Sequence, residues 1–376
     1  MQSKGIVMDD IFQLNGRKLG FGLMRLPKDE NGEIDTRKTI EMVDRFISEG
    51  FSYFDAAYSY PGAEEAFKAA VTSRYPRDSY TLASKMSSGL LSDDLPPEKM
   101  FASQLERTGL DYIDFYLLHA VQKENLHIFE KYDAWNFGKN LKKDGRIRHF
   151  GFSFHDSPEL LDELLAEHPE VEFVQLQINY LDWTNPTVQS KGIYEVARKH
   201  QKPIVIMEPV KGGLLSNLQD SITAPFGDAT PASMALRFAS GLDGILAVLS
   251  GMSTPEQLEE NMRIFSPCEK LSEKELKAVE TVKERIEEMQ AIQCTSCRYC
   301  VSGCPEKIAI PDIFKLLNEE AISNRKENIK ARYYAMIENG KSGEASSCIR
   351  CGKCEKTCPQ KLPIRELLRS VETRLA

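Results

Sequence analysis

The sequence predicts an α/β chain in two parts: a closed barrel of eight parallel strand-helix units, then a small and mostly helical domain that carries cysteines. Three observations predict it. Short runs rich in β-branched and aromatic residues recur near Phe21, Tyr53, Leu82, Ile113, Phe150, Val174, Ile204 and Ile245. Segments with helical period and helical end signals separate these runs. Of the nine cysteines, all but Cys268 lie beyond position 286 in two tight clusters. Strictly alternating strands and helices give a parallel sheet covered by helices, and eight is the number that closes into a (β/α)8 TIM barrel. The alternative is an open doubly wound sheet, but Gly20-Phe-Gly22 lacks the third glycine and the helix start of a dinucleotide fingerprint.

The elements follow in order. Asn15-Gly16, between two short apolar pieces, predicts an opening hairpin. A helix is expected over 36–49, with Asp35-Thr36 at its start, Ile40, Val43 and Ile47 on one face, and Gly50 beyond its end. Further helices are expected over 63–73, 97–108, 158–167, 192–199, 231–239 and 255–265. From 271 to about 292 the pattern is helical and highly charged, with a Ser272/Glu275 capping box, and reads as a connecting helix. The expected division is therefore 1–285 for the barrel with its connecting helix and 286–376 for the cysteine domain.

Bulk properties narrow the function classes. With 41% hydrophobic and 28% charged residues the composition is that of a globular protein. A net charge of −8 argues against a nucleic-acid surface. The first residues show no signal-peptide pattern, and the longest apolar runs, such as Ile245-Leu-Ala-Val-Leu249, are too short for a bilayer. A soluble, cytoplasmic protein without nucleic-acid or membrane partners is expected. Cysteines clustered behind a cysteine-poor body point to cofactor ligands and not to a disulfide framework.

Barrel enzymes place chemistry at the C-terminal ends of their strands. There the sequence puts Asp55 and Tyr60 after the second strand, Lys85 after the third and His119 after the fourth. Singly each has an ordinary reading: a helix-capping aspartate, a solvated lysine, a structural histidine. Together they form proton-transfer apparatus. A tyrosine, whose unperturbed pKa is about 10, is a poor acid at neutral pH unless a cation such as Lys85 stabilises its phenolate. Asp55 would pair with Lys85, His119 would orient or polarise a carbonyl oxygen, and Tyr60 would give the proton as a hydride reaches carbon.

On these residues the chain resembles the aldo-keto reductase family. Asp55-Ala-Ala-Tyr-Ser-Tyr60, followed by Lys85 and His119, matches the family's tetrad, and the resemblance spans roughly residues 8 to 266. It implies an NAD(P)-dependent oxidoreductase that binds NAD(H) or NADP(H) in a barrel. Ser153 and Gln175 match the residues that contact the carboxamide. The family's asparagine after that serine is Phe154 here, with His155 next, and its ring-stacking tyrosine aligns with Met207. His155 is expected to line the pocket or serve structurally. Glu260 and Asn261 fit positions that hold adenine. Gly251 and Gln257 stand where a lysine and an arginine commonly bind the 2′-phosphate, so NADH is expected to serve at least as well as NADPH.

Cys294-x2-Cys297-x2-Cys300-x3-Cys304-Pro305 and Cys348-x2-Cys351-x2-Cys354-x3-Cys358-Pro359 repeat the bacterial ferredoxin run. In such runs the fourth cysteine serves the other cluster. The expected sets are Cys294, Cys297, Cys300 and Cys358 for one [4Fe-4S] cluster, and Cys348, Cys351, Cys354 and Cys304 for the second. Zinc knuckles use paired CxxC motifs instead. The expected function is reduction of an aldehyde or ketone, or oxidation of the alcohol, with two clusters for electron exchange, redox sensing or structure. A ferredoxin or flavoprotein is the expected electron partner. The alternative is an electron-transfer or redox-sensing protein that uses the barrel as a docking or ligand-binding platform.

Overall fold

The computed structural model describes residues 17–289, 292, 294, 296, 298–358 and 360–375. Eight parallel strands close into a barrel in sequence order: β1 (Leu19–Gly22), β2 (Tyr53–Asp55), β3 (Thr81–Ser87), β4 (Ile113–Val121), β5 (Ile147–Phe154), β6 (Phe173–Gln177), β7 (Ile204–Met207) and β8 (Ile245–Ser250). Pairing of β1 with β8 completes the ring. Each expected strand is present. The turn expected at Asn15-Gly16 lies outside the described residues.

Alternation along the strands divides their side chains between two cores. Tyr53, Ala83, Phe115, Leu117, Phe173, Val205, Ala247 and Leu249 pack together inside the barrel. Their neighbours Phe54, Leu82, Tyr116, Leu118, Val174, Ile204, Ile206 and Val248 belong to the larger core beneath the helices. Both faces are buried, which is why the strands read as continuous apolar runs. Two residues further along the inner rows come Asp55, Lys85, His119, Ser153, Gln175 and Met207. The period of two therefore aims all six at the space above the apolar plug.

The covering helices are α1 (Thr36–Ser48), α2 (Ala63–Phe67), α3 (Pro97–Thr108), α4 (Leu126–Lys131), α5 (Ala134–Lys143), α6 (Pro158–Glu167), α7 (Ser190–Lys199), α8 (Pro231–Ser240) and α9 (Pro255–Ile264). Their starts follow the sequence signals: the side chains of Asp35, Ser157 and Thr254 accept from backbone N–H groups of the first turns of α1, α6 and α9. The segment expected as one helix over 63–73 is α2 followed by a π-helical turn, Lys68–Thr72. The pair α4 and α5 was not expected. Asp133, in the left-handed region at φ 47°, separates them.

The chain divides into two compact units, one of residues 1–212 and 232–272, the other of residues 213–231 and 273–376. In the second unit are α10 (Glu273–Met289), α11 (Ile310–Ile322), α12 (Lys326–Glu338) and α13 (Ile364–Arg374). Its core is Ile308, Ile310, Ile313, Phe314, Leu317, Ile329, Leu368 and Val371, with most of the cysteines packed against it. The excursion that follows β7 belongs here: Leu218 bridges Ser323, and the Gln219 N–H donates to the Ile322 carbonyl at 3.2 Å. Among the described residues no helix is long and apolar enough to cross a membrane.

Candidate functional site

At the C-terminal mouth of the barrel the backbone first fixes Tyr60. Pairing continues past β2, with the Ala56 N–H donating to the Ala83 carbonyl at 2.8 Å and the Tyr58 N–H to the Lys85 carbonyl at 3.3 Å. A turn closed by the Tyr60 N–H on the Ala57 carbonyl, 2.9 Å, then sets the phenol over the inner row. Beneath it Lys85 Nζ donates to Asp55 Oδ1 and to the Ala56 carbonyl, both at 2.6 Å. The ammonium lies 5.2 Å from the centre of the Tyr60 ring. His119 meets that ring edge-on at 5.7 Å. The four residues expected to act together are thus adjacent.

His119 lies at a distortion of β4. The register with β5 shifts between Leu118 and Val121, and Ala120 sits at φ 56°. Nδ1 of the histidine lies 3.2 Å from Ser87 Oγ and 3.3 Å from Ser59 Oγ, which orients the ring.

Burial and charge set the protonation states. Burial, with the charges of Lys85 and His155 adding to it, pushes His119 down to about 3, so its imidazole is neutral near pH 7. Burial raises Asp55, opposed by Lys85. At Tyr60 the largest influence is Lys85, which pulls the phenol down as expected. Burial, Asp55 and Glu208 outweigh it, even with Arg25 on the side of the lysine, and the phenol stays above its usual range. Tyr60 is therefore held protonated. Glu208 and Arg25, whose charges reach it, were not singled out in the sequence. Glu208, at φ 56° directly after β7, carries the signal of a strained strand end.

A polar layer behind β3 was also missed. Gln104, on α3, donates to Glu64 Oε1 at 2.8 Å, to Ser84 Oγ at 2.7 Å and to the Lys85 carbonyl at 3.3 Å. It accepts from the Tyr116 hydroxyl at 2.8 Å. The network anchors the strand that carries Lys85. No motif in the sequence marks it.

Across the mouth, Ser153 and Gln175 are register partners on β5 and β6, and Gln177 pairs with Met207 on β7. Ser153 Oγ accepts the Ala120 N–H at 2.7 Å, leaving its own O–H as a donor. Gln175 Nε2 leans on Met207 Sδ at 3.8 Å, while its buried Oε1 has no hydrogen-bond partner. One hydroxyl donor beside one orphan acceptor is the complement of a carboxamide, so these residues fit a nicotinamide. His155 lies just beyond β5, exposed at the rim yet surrounded by protein on most sides, and burial lowers its pKa.

Near β8 the expected contacts are less open. Asn261 is buried and donates to Ser250 Oγ at 2.8 Å. Glu260, its neighbour on α9, is half-buried. A Cβ at Gly251 would come within 3.1 Å of Arg25 Cδ, so the Arg25 chain fills the place a side chain would take. Lys211 is paired with Asp182, a fully buried carboxylate that also accepts from Gln177 at 2.9 Å and Asn179 at 2.7 Å.

In the second unit the cysteines line two cavities. Cys304, Cys348, Cys351 and Cys354 stand around one. Cys294, Cys300 and Cys358 stand around another, with Arg298, Phe314 and Leu362. Cys297, expected in the second of these sets, lies outside the described residues. The fourth cysteine of each run thus reaches the other run's cavity. Backbone conformation repeats with the sequence: Ser296 and Arg350, Arg298 and Gly352, and Lys307 and Lys361 all have positive φ. Backbone in this conformation is a common component of the N–H concavities that bind anionic groups, iron-sulfur sites among them. Cysteine sulfurs around a cavity, with these turns, fit an iron-sulfur cluster. Among the described residues no group of three or more histidine, cysteine or acidic side chains converges closely enough to hold a single metal ion.

Comparison with known proteins bears on both units. A sequence model described as the aldo/keto reductase family matches residues 18–284, and one described as a 4Fe-4S dicluster domain matches residues 293–362. An aldo-keto reductase of Mycolicibacterium vanbaalenii is 27% identical over 237 residues, 62% of this chain and 80% of that protein. An NADPH-dependent alpha-keto amide reductase of Saccharomyces cerevisiae is 26% identical over 255 residues, 63% of this chain and 78% of its own length. Among solved structures, the holo form of an aldo-keto reductase from Bacillus halodurans superposes with a TM-score of 0.58 at 21% identity, covering 70% of this chain and 91% of that one. An aldo-keto reductase of Klebsiella pneumoniae in complex with NADPH gives 0.55 at 20% identity, covering 71% and 90%.

Proposed function

This chain belongs to the aldo/keto reductase family, and from that premise we propose that its barrel reduces a small aldehyde or ketone, or oxidises the alcohol, with a nicotinamide dinucleotide. The observation that carries the proposal is the buried Lys85 to Asp55 ion pair beneath Tyr60 and His119. Similarity to a keto amide reductase and to methylglyoxal reductase DkgA of Escherichia coli O157:H7, 24% identical over 254 residues, supports a carbonyl substrate.

When bound, the nicotinamide supplies the hydride. Ser153 and Gln175 hold its carboxamide by one O–H donor and one amide acceptor, with Met207 beside them. Neutral His119 orients the substrate oxygen by hydrogen bonding. Tyr60 gives that oxygen its proton, and Lys85, fixed by Asp55 and the Ala56 carbonyl, stabilises the phenolate left behind. The apolar plug beneath excludes water from below. Gly251, Glu260 and Asn261 border the adenosine end.

In the second unit we assign Cys294, Cys297, Cys300 and Cys358 to one [4Fe-4S] cluster and Cys304, Cys348, Cys351 and Cys354 to another. A hydride carries two electrons and such a cluster passes one, so the clusters serve one-electron exchange with a partner, sensing or structure, separately from the hydride step. Anaerobic purification, iron and sulfide analysis, and a screen of NADH and NADPH oxidation across carbonyls test both halves. Cofactor-dependent carbonyl turnover is expected without cluster bleaching. No turnover with any carbonyl, alongside cluster reduction by a protein donor, would favour a pure electron-transfer role.

A further inference from the structure

The two cysteine repeats differ in charge. From Cys348 to Lys361 the second carries Arg350, Lys353, Lys356 and Lys361 against Glu355, whereas from Cys294 to Lys307 the first carries only Arg298 and Lys307 against Glu306. In a chain of net charge −8 the second repeat is a basic island.

Around its cavity stand Arg350, Lys353 and Arg365, with Glu306 the one acid. Arg350 is paired with Glu366 at 2.5 Å and Arg365 with Glu355 at 2.7 Å. Lys353 is exposed and makes no ion pair among the described residues. Two further features mark this face. Ile349 is 61% exposed, although an isoleucine between a cysteine and an arginine gains nothing from water. Cys351 is the one exposed thiol among the described cysteines. An exposed apolar residue beside a lysine without an ion pair among the described residues and the exposed Cys351, within a repeat of net positive charge, is the anatomy of an interface for an acidic protein.

We propose that the face formed by Ile349, Arg350 and Lys353 docks an acidic one-electron carrier protein of the flavodoxin class, which delivers electrons through Cys351. This rests on the assignment of a cluster to Cys304, Cys348, Cys351 and Cys354. With a flavodoxin, its anionic flavin hydroquinone gives up one electron and becomes the neutral semiquinone. The oxidised cluster gains that electron, and no proton moves. Lys353 steers the encounter, and Ile349 is covered in the complex.

The test uses anaerobic holoprotein of measured iron and sulfide content, mixed in a stopped-flow instrument with the hydroquinone of an acidic flavodoxin while semiquinone formation is followed. The rate is expected to fall steeply with salt, as steering by exposed charges does. Lys353→Glu should slow it about tenfold, and Ile349→Ser should slow it with little change in salt dependence. Lys99→Glu, the same charge change on an exposed lysine of α3, should leave it unaltered. Dithionite should bleach the clusters of every variant to the same extent. Full bleaching with an unchanged flavodoxin rate in Lys353→Glu and Ile349→Ser would overturn the docking surface alone. Protein without iron and sulfide would remove the cluster assignment and the docking surface with it. Self-association of the parent that Lys353→Glu abolishes, with no effect on the flavodoxin rate, would assign the face to a second copy and refute the proposal.

Discussion

Lys85 and Asp55 form an ion pair of 2.6 Å inside the barrel, with the lysine side chain wholly closed to solvent and the aspartate nearly so. The Ala56 carbonyl takes a second ammonium hydrogen, while Asp55 Oδ2 has no hydrogen-bond partner. Removing one charge strands the other, at a cost of about 3–5 kcal/mol, whereas replacing both by apolar groups relieves it. Lys85→Met should therefore lower the barrel's stability by that amount, and adding Asp55→Leu should restore much of it. Thermal unfolding of the single and double variants measures this. A double variant less stable than Lys85→Met would mean that the pair is not coupled as the geometry indicates.

Tyr60→Phe removes the proposed proton donor and little else, since the ring still meets His119 and Lys85. Turnover should fall by about 10²–10⁴, the usual contribution of a positioned acid. Dinucleotide affinity, read from quenching of protein fluorescence, should stay the same. Retained turnover would transfer the proton-donor role to another group.

His119 makes a signed pH prediction. Its folded-state value, about 3, lies below the ordinary histidine value of 6.5. Between those two values the unfolded chain binds a proton that the folded chain refuses. Stability contributed through His119 therefore falls as pH drops from 6.5 toward 3, and levels off above 6.5. Comparing urea unfolding of the protein and of His119→Gln at pH 5 and pH 7 isolates this part. The difference between the two proteins should shift toward the variant at pH 5. A difference independent of pH would refute a neutral, buried His119.

The dinucleotide preference follows from the cations near β8. Gly251 has no side chain, Gln257 Oε1 accepts the Ser253 N–H at 2.8 Å, and Lys211 is held by Asp182. A charge-assisted bond to a 2′-phosphate is worth about 1.5–3 kcal/mol. Without one, kcat/KM with NADH should equal or exceed that with NADPH. A hundredfold preference for NADPH would show that another cation, such as Arg25 or Arg263, makes the contact.

Crossed ligation predicts the effect of losing a fourth cysteine. Holoprotein should contain about eight iron atoms, and Cys358→Ala should lower this toward four. The remaining cluster should be the one ringed by Cys304 and the second run, because Cys358 lies with Cys294 and Cys300. Iron analysis with electron paramagnetic resonance of the reduced protein distinguishes the two. Loss of the cluster from the second run instead would mean that each run holds its own.

The strands, most of the helices and the Asp55, Tyr60, Lys85 and His119 set were legible in the sequence because each rests on local signals. Apolar runs buried on both faces, capping residues, and a strand-end spacing all act within a few residues. The cysteine runs were legible for the same reason. What remained out of reach depends on residues far apart in the chain: the Gln104 network behind β3, the charges of Arg25 and Glu208 on Tyr60, the pairing of Lys211 with Asp182, and the grouping of 213–231 with the cysteine unit. Sequence by itself determined which side chains form each inner row of the barrel and which thiols are available. Only the tertiary structure decided whether the charge of Lys85 prevails at Tyr60. There Lys85 pulls the phenol down, burial and two carboxylates outweigh it, and such a balance exists only when the groups are brought together away from water.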